Sequence, residues 1–191
     1  GRLAKFNEKF KIKSTDFVIG YTGRLVSDKG INELVDAFKQ LAANHSNLKL
    51  LLVGPYEERN EILAETKDYI EKCDNIIYTG LIENDIEYYY ALMSILVLPT
   101  HREGLGTSLL EAASMSIPCL TTGHTGSRDA VIDGETGYYI DMSSASIVEK
   151  IQIYLETPNL LTSQGLNGRE FVESNFSQTV IWDEIEQLYL N

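Results

Sequence analysis

Apolar residues along this chain gather in short continuous runs rather than in strict alternation. Six runs have strand length: FVIGYTG (17–23), LKLLLVG (48–54), NIIYTG (75–80), SILVLPT (94–100), IPCLTT (117–122) and GYYI (137–140). Continuous runs suit strands covered on both faces, as in a parallel sheet. Between them the apolar positions change to helical spacing. In INELVDAFKQLAANH (31–45), Ile31, Leu34, Val35, Phe38 and Leu41 share one face, and EERNEILAETKDYIEKC (57–73) and NDIEYYYALM (84–93) read as helices in the same way. Strand and helix alternate with short connections, which predicts a doubly wound α/β domain: about six parallel strands with helices on both faces. After residue 141 the strand signal stops. From Ser143 onward the pattern is helical, and its last stretch carries an apolar stripe of Ile181, Trp182, Ile185, Leu188 and Tyr189. Residues 1–13 are polar and basic and read as a lead-in, so the domain is expected to run from 14 to 191.

In such a sheet, ligands bind at the carboxyl ends of the strands, in the loops that enter the helices. The loops predicted there are TGRLVSDKGIN, VGPYEERN, TGLIEND, PTHREGLGTS and TTGHTGSRDA, and glycines cluster in them. Two stand out. After the first strand, Gly23 precedes Arg24 and Lys29, two cations that could reach a diphosphate, the first through its planar fork and the second as a point charge. After the fourth strand, Gly104 and Gly106 permit a tight turn into a helix expected to begin near Thr107, whose unpaired N–H groups would favour an anion. Glu103 and Glu111 bracket that turn, so both carboxylates could border one cleft and accept hydrogen bonds from sugar or ribose hydroxyls.

Structural readings of the same residues stand beside these. Ser108 and Glu111 have the spacing of a capping box, which would make Glu111 a helix cap. Arg24 and Lys29 could belong to a solvated loop with Asp28 as their partner. The run Tyr88, Tyr89 and Tyr90 is expected to pack its helix partly inward and partly outward. His45 falls at a helix end, and neither His101 nor His124 has a second ligand at metal spacing. There is no Asp-x-Asp pair, no Walker-type loop, no Gly-x-Ser-x-Gly elbow and no G-x-G-x-x-G after the first strand, so neither a metal nor a dinucleotide cofactor is expected.

The chain has 191 residues, 43% of them apolar, and a formal net charge of −12. That length can bury one sizeable core. The acidic surface repels nucleic acid and anionic lipid, so an anion must meet a local, preorganised site. Cys73 and Cys119 are distant and lie near strand-like segments; free buried thiols and a cytoplasmic setting are expected. No run has the length of a membrane span, and the start GRLAKFNEKFK has no apolar signal-peptide core.

Four stretches, in order, carry a resemblance: TGRLVSDKGINELVDAF, LLLVGP, EGLGTSLLEAAS followed by IPCLTT, and SRDAVIDGETGYYI, together covering roughly residues 17–141. The chain resembles the C-terminal, donor-binding half of group 1 (family 4) glycosyltransferases of GT-B fold, a Rossmann-like domain. The resemblance implies that Arg24 and Lys29 contact the donor diphosphate. It places Glu103 on the donor sugar and Glu111 on the ribose hydroxyls. Backbone around Gly104, Leu105, Gly106, Thr107 and Ser108 would meet sugar and phosphate oxygens, and the base would lie near Leu81 and Ile82. It further implies a nucleotide-sugar donor, expected to be a UDP-sugar, and retaining transfer without a metal to a hydroxyl of an acceptor glycan or lipid-linked sugar, in polysaccharide or glycan synthesis. An N-terminal acceptor domain would precede this one, leaving residues 1–13 as interdomain linker and any membrane contact to the other half. The alternatives are a nucleotide-binding module inactive by itself, and a sugar-nucleotide epimerase or phosphorylase of similar fold. The sequence departs from the family where VGPYEE has no second glycine after VG and where SRDAV replaces a frequent Pro-Glu pair.

Overall fold

The computed structural model describes residues 1–124, 126–180, 182 and 186. All six apolar runs form strands: β1 (Phe17–Thr22), β2 (Leu48–Val53), β3 (Ile76–Tyr78), β4 (Ile95–Leu98), β5 (Cys119–Thr122) and β6 (Gly137–Ile140). They make one parallel sheet in the order β3-β2-β1-β4-β5-β6. Every residue of β1, β4 and β5 is buried, which requires cover on both faces; the partly exposed positions fall at Lys49 of β2 and on the edge strands β3 and β6.

The helices are α1 (Arg2–Lys9), α2 (Ile31–Ala42), α3 (Ala64–Lys72), α4 (Ile86–Tyr90), α5 (Thr107–Ser114), α6 (Ser144–Glu156) and α7 (Asn159–Asn175). The stripe expected on α2 is the buried one: Ile31, Leu34, Val35, Phe38 and Leu41 join the core that spans the sheet. Cys119 is buried and Cys73 half-buried, both as free thiols, and burial pushes the Cys119 thiol up to about 12.

Two segments differ from the pattern. The helix expected from residue 57 starts only at Ala64, because residues 57–63 are tied across to the loop after β1 and to the first turn of α2. Ser27 N donates to the Asn60 carbonyl at 2.9 Å, and Leu63 N donates to Asn32 Oδ1 at 3.0 Å, so these backbone groups serve the tertiary contact instead of a helical ladder. The polar lead-in contains α1, anchored by Phe6, whose ring stacks on Tyr88 and meets Tyr89 edge-on, both at 5.2 Å between centroids. Of the stripe expected at the C-terminus, Trp182 is exposed, while Ile181, Ile185, Leu188 and Tyr189 lie outside the described residues.

The chain runs outward from β1 to β3 and then returns to the other side of β1 with β4. This reversal is the topological switch point, where the loops after β1 and β4 diverge and leave a crevice at the carboxyl edge.

Candidate functional site

A cleft of about 570 Å³ opens at that edge, lined by Gly23, Arg24, Lys29, Leu81, Ile82, Glu103, Thr107, Ser108 and Glu111 from the residues singled out by sequence. Thr22, Val53, Gly54, Pro55, Glu57, Ile86 and Tyr90 complete its wall. Gly104, Leu105 and Gly106 are not part of the lining. Gly106 is buried beneath the turn, while Gly104 and Leu105 are exposed on its outer side.

The loop after β1 is held from below and from the side. Buried Tyr21 donates its hydroxyl to the Arg24 carbonyl at 2.7 Å, fixing the backbone there while the guanidinium stays in solvent. Gly23 N and Leu25 N donate to the carbonyls of Val53 and Pro55 at 2.9 and 2.8 Å, joining this loop to the one after β2. A side chain at Gly54 would overlap the Gly23 carbonyl, so the single glycine of VGP permits the two loops to form a common floor. The second glycine missing from VGPYEE leaves Glu57 facing Arg24: Nη1 lies 2.9 Å from Oε2, with both side chains substantially exposed.

Lys29 closes a 3₁₀ turn (Ser27–Lys29) and spans the crevice. Its Nζ donates to Glu103 Oε2 at 2.9 Å, to the Arg102 carbonyl at 3.0 Å and to Thr100 Oγ1 at 3.3 Å, all in the loop after β4. Glu103 Oε1 accepts from the Gly104 amide at 3.2 Å. Neither cation takes the Asp28 side chain as partner among the described contacts; Asp28 instead offers its carbonyl to His101 N at 3.0 Å.

The capping-box reading of Ser108 and Glu111 does not hold. The cap of α5 is Gly106, in the left-handed conformation and without a side-chain bond, and Ser108 lies inside the first turn. The Thr107 and Ser108 amides therefore belong to the turn whose N–H groups lack intrahelical acceptors, and both residues face the cleft. Glu111, one turn on, accepts a 2.6 Å hydrogen bond at Oε2 from the Tyr90 hydroxyl, which in turn lies 3.0 Å from Thr22 Oγ1. Burial, reinforced by the bond to Glu111, raises the Tyr90 hydroxyl far above its ordinary range and keeps it protonated.

Sequence reasoning found both carboxylates and both cations but missed Glu57, Tyr90, Thr22 and Thr100. Tyr90 was the most accessible of these: it ends a run of three tyrosines, and a tyrosine buried at a helix end requires a polar partner.

The lining carries three carboxylates against two cations. Anionic phosphate can meet the first-turn amides of α5 directly but reaches Arg24 and Lys29 by taking over partners now held by Glu57 and Glu103, whereas hydroxyl groups can share the carboxylate oxygens, each of which accepts more than one hydrogen bond. Such a site suits a ligand that combines a phosphate with a polyol. Among the described residues no group of three or more His, Cys, Asp or Glu side chains could hold a metal ion.

The family model for glycosyl transferases group 1 matches residues 4–171. The capsular polysaccharide biosynthesis glycosyltransferase CapM of Staphylococcus aureus is 38% identical over 187 residues, covering 97% of this chain and 49% of that protein. Among solved structures, the C-terminal domain of the group 1 glycosyl transferase LpcC from Francisella tularensis superposes with a TM-score of 0.81 at 24% identity, over 93% of this chain and 94% of that one. Anabaena HepE in complex with UDP-glucose superposes with a TM-score of 0.84 at 20% identity, over 99% of this chain and 52% of that one. At these identities the two structures establish the fold. The chain spans about half the length of its full-length relatives and belongs to the group 1 glycosyl transferases.

Proposed function

We propose that the chain is the donor-binding half of a retaining glycosyltransferase, with a UDP-sugar as donor. The observation that carries the reading is the single cleft in which two cations from the loop after β1 meet two carboxylates and a helix N-terminus from the loop after β4. UDP is the expected nucleotide because HepE, of the same fold, is solved with UDP-glucose. A glycan or lipid-linked acceptor in polysaccharide synthesis follows from the likeness to CapM.

In this reading the ribose hydroxyls donate to Glu111, the diphosphate takes Arg24, Lys29 and the first-turn amides of α5, and the sugar lies against Glu103. The base rests by Leu81 and Ile82, where an exposed leucine supplies an apolar wall. The bond between the anomeric carbon and the β-phosphate oxygen breaks with its electron pair leaving on the phosphate. The acceptor oxygen bonds to the same face of that carbon, and its proton passes to the departing phosphate. Negative charge grows on the diphosphate in an oxocarbenium-like transition state. Arg24, Lys29 and the helix N-terminus are positioned to stabilise that charge, a contribution on the order of a few kcal/mol, without a metal.

The acceptor is presented by a domain outside these 191 residues, so the chain alone holds one reactant and cannot align two. Calorimetric titration with UDP tests the reading: binding is expected with unchanged affinity after EDTA treatment, Glu111→Ala is expected to weaken it at least tenfold, and transfer to added acceptors is expected to be absent. Failure of the wild-type chain to bind UDP or UDP-glucose would remove the reading; turnover by the chain alone would remove its half-enzyme aspect.

A further inference from the structure

Thr22, Tyr90 and Glu111 reach one point of the cleft from three elements, the end of β1, the end of α4 and the second turn of α5. Their hydrogen bonds have one direction. The Glu111 carboxylate only accepts, so the proton in its 2.6 Å contact with Tyr90 belongs to the tyrosine. With that proton engaged, the 3.0 Å contact between Tyr90 and Thr22 requires the threonine to donate. The chain therefore runs from Thr22 to Tyr90 to Glu111 Oε2, each donor polarising the next.

We propose that Tyr90 is a positioning residue for nucleotide recognition: its hydroxyl captures Glu111 Oε2 and presents Oε1 to the ribose hydroxyls of the bound nucleoside diphosphate. The proposal rests on the donor-site reading above. Tyr90 is 2% exposed and Thr22 8%, so packing sets where their hydroxyls lie. Glu111 is exposed and, on an otherwise free helix surface, would sample several rotamers that a ligand would have to restrict. The bond to Tyr90 restricts them before the ligand arrives. Satisfying the buried phenol does not require this arrangement, since Thr22 is already within reach as an acceptor; the carboxylate is the group that gains a fixed orientation.

The test compares UDP with 2′,3′-dideoxy-UDP, which lacks the hydroxyls assigned to Glu111, by calorimetric titration of the wild-type chain, Tyr90→Phe, Thr22→Val and Glu111→Ala. Tyr90→Phe keeps the buried ring. It is expected to lose about tenfold in affinity for UDP, while affinity for the dideoxy analogue stays within about twofold of wild type. Thr22→Val is expected to show a smaller loss with the same dependence on ribose hydroxyls, and it keeps the test open should Tyr90→Phe unfold. Adding Tyr90→Phe to Glu111→Ala, which has no acceptor left to position, is expected to change nothing further. A purely structural tyrosine would weaken both ligands alike, and that result overturns the proposal. A wild-type preference for UDP that Tyr90→Phe and Thr22→Val leave intact overturns it as well. A wild-type chain that does not distinguish the two ligands removes the donor-site reading and this inference with it.

Discussion

Lys29 Nζ sits 2.9 Å from Glu103 Oε2, with side chains only 14% and 24% exposed, so the cation assigned to the diphosphate and the carboxylate assigned to the sugar are each other's partners. The pair joins the loops on either side of the switch point. Lys29→Met leaves Glu103 half-buried without its cation and is expected to cost about 1–3 kcal/mol of stability and at least tenfold in UDP affinity. Urea unfolding and calorimetry read the two effects. Unchanged stability would show that the pair does not tie the loops.

Arg24 and Glu57 form the corresponding pair at the outer wall, where solvent screens both charges. If Arg24 holds the donor diphosphate as proposed, Glu57 competes with it for the guanidinium, and removing a competitor strengthens the remaining interaction. Glu57→Gln is expected to tighten UDP binding two- to fivefold, the range appropriate to an exposed ion pair of up to about 1 kcal/mol. The gain should shrink as salt is raised. Weaker binding by this variant would show that Glu57 supports the ligand instead of opposing it.

The six strands and the main face of α2 were legible because continuous apolar runs and a 3.6-residue stripe record burial directly. The placement of Arg24, Lys29, Glu103 and Glu111 was legible because a parallel sheet puts the loops that follow its strands at one edge. Glu57 and Tyr90 were not. Glu57 fell within a helical pattern that bonds from Ser27 and to Asn32 interrupt, and those partners are some thirty residues away in sequence. For Tyr90, the direction of its hydroxyl depends on how a five-residue helix docks against β1 and α5, which local periodicity does not encode.

Two glycines of the loops that meet above β4 separate packing from binding. Gly126 has φ +91°, and a Cβ there would overlap the carbonyl oxygens of Glu103 and Gly104. Gly126→Ala is expected to cost roughly 1–3 kcal/mol and to weaken UDP binding by displacing Glu103. Gly104 has open space where its Cβ would be, and its φ is not positive. Gly104→Ala is expected to stay within about 0.5 kcal/mol of wild type in urea unfolding. Equal destabilisation by both would contradict this account of the loop.

The buried tyrosines set an alkaline limit. Burial raises the hydroxyls of Tyr21, Tyr90 and Tyr154 well above the ordinary value of 10.0, with the Glu111 bond adding to the shift at Tyr90. A group whose pKa is higher folded than unfolded favours the folded state fully below its unfolded pKa, and that contribution is lost as pH rises through the folded value. Stability is therefore expected to be insensitive to these three below about pH 10 and to decline above it. Phenolate absorbance should show Tyr21, Tyr90 and Tyr154 titrating only with unfolding. Titration of these three near pH 10 with the fold intact would contradict the burial argument.

A crystal structure of this chain soaked with UDP-glucose tests the central claim most directly. The account predicts the diphosphate within hydrogen-bond distance of Arg24, Lys29 and the Thr107 and Ser108 amides, with the ribose hydroxyls on Glu111 and the glucose against Glu103. Well-ordered nucleotide outside the crevice between the loops after β1 and β4, or within it but turned so that the ribose is away from Glu111, would contradict it.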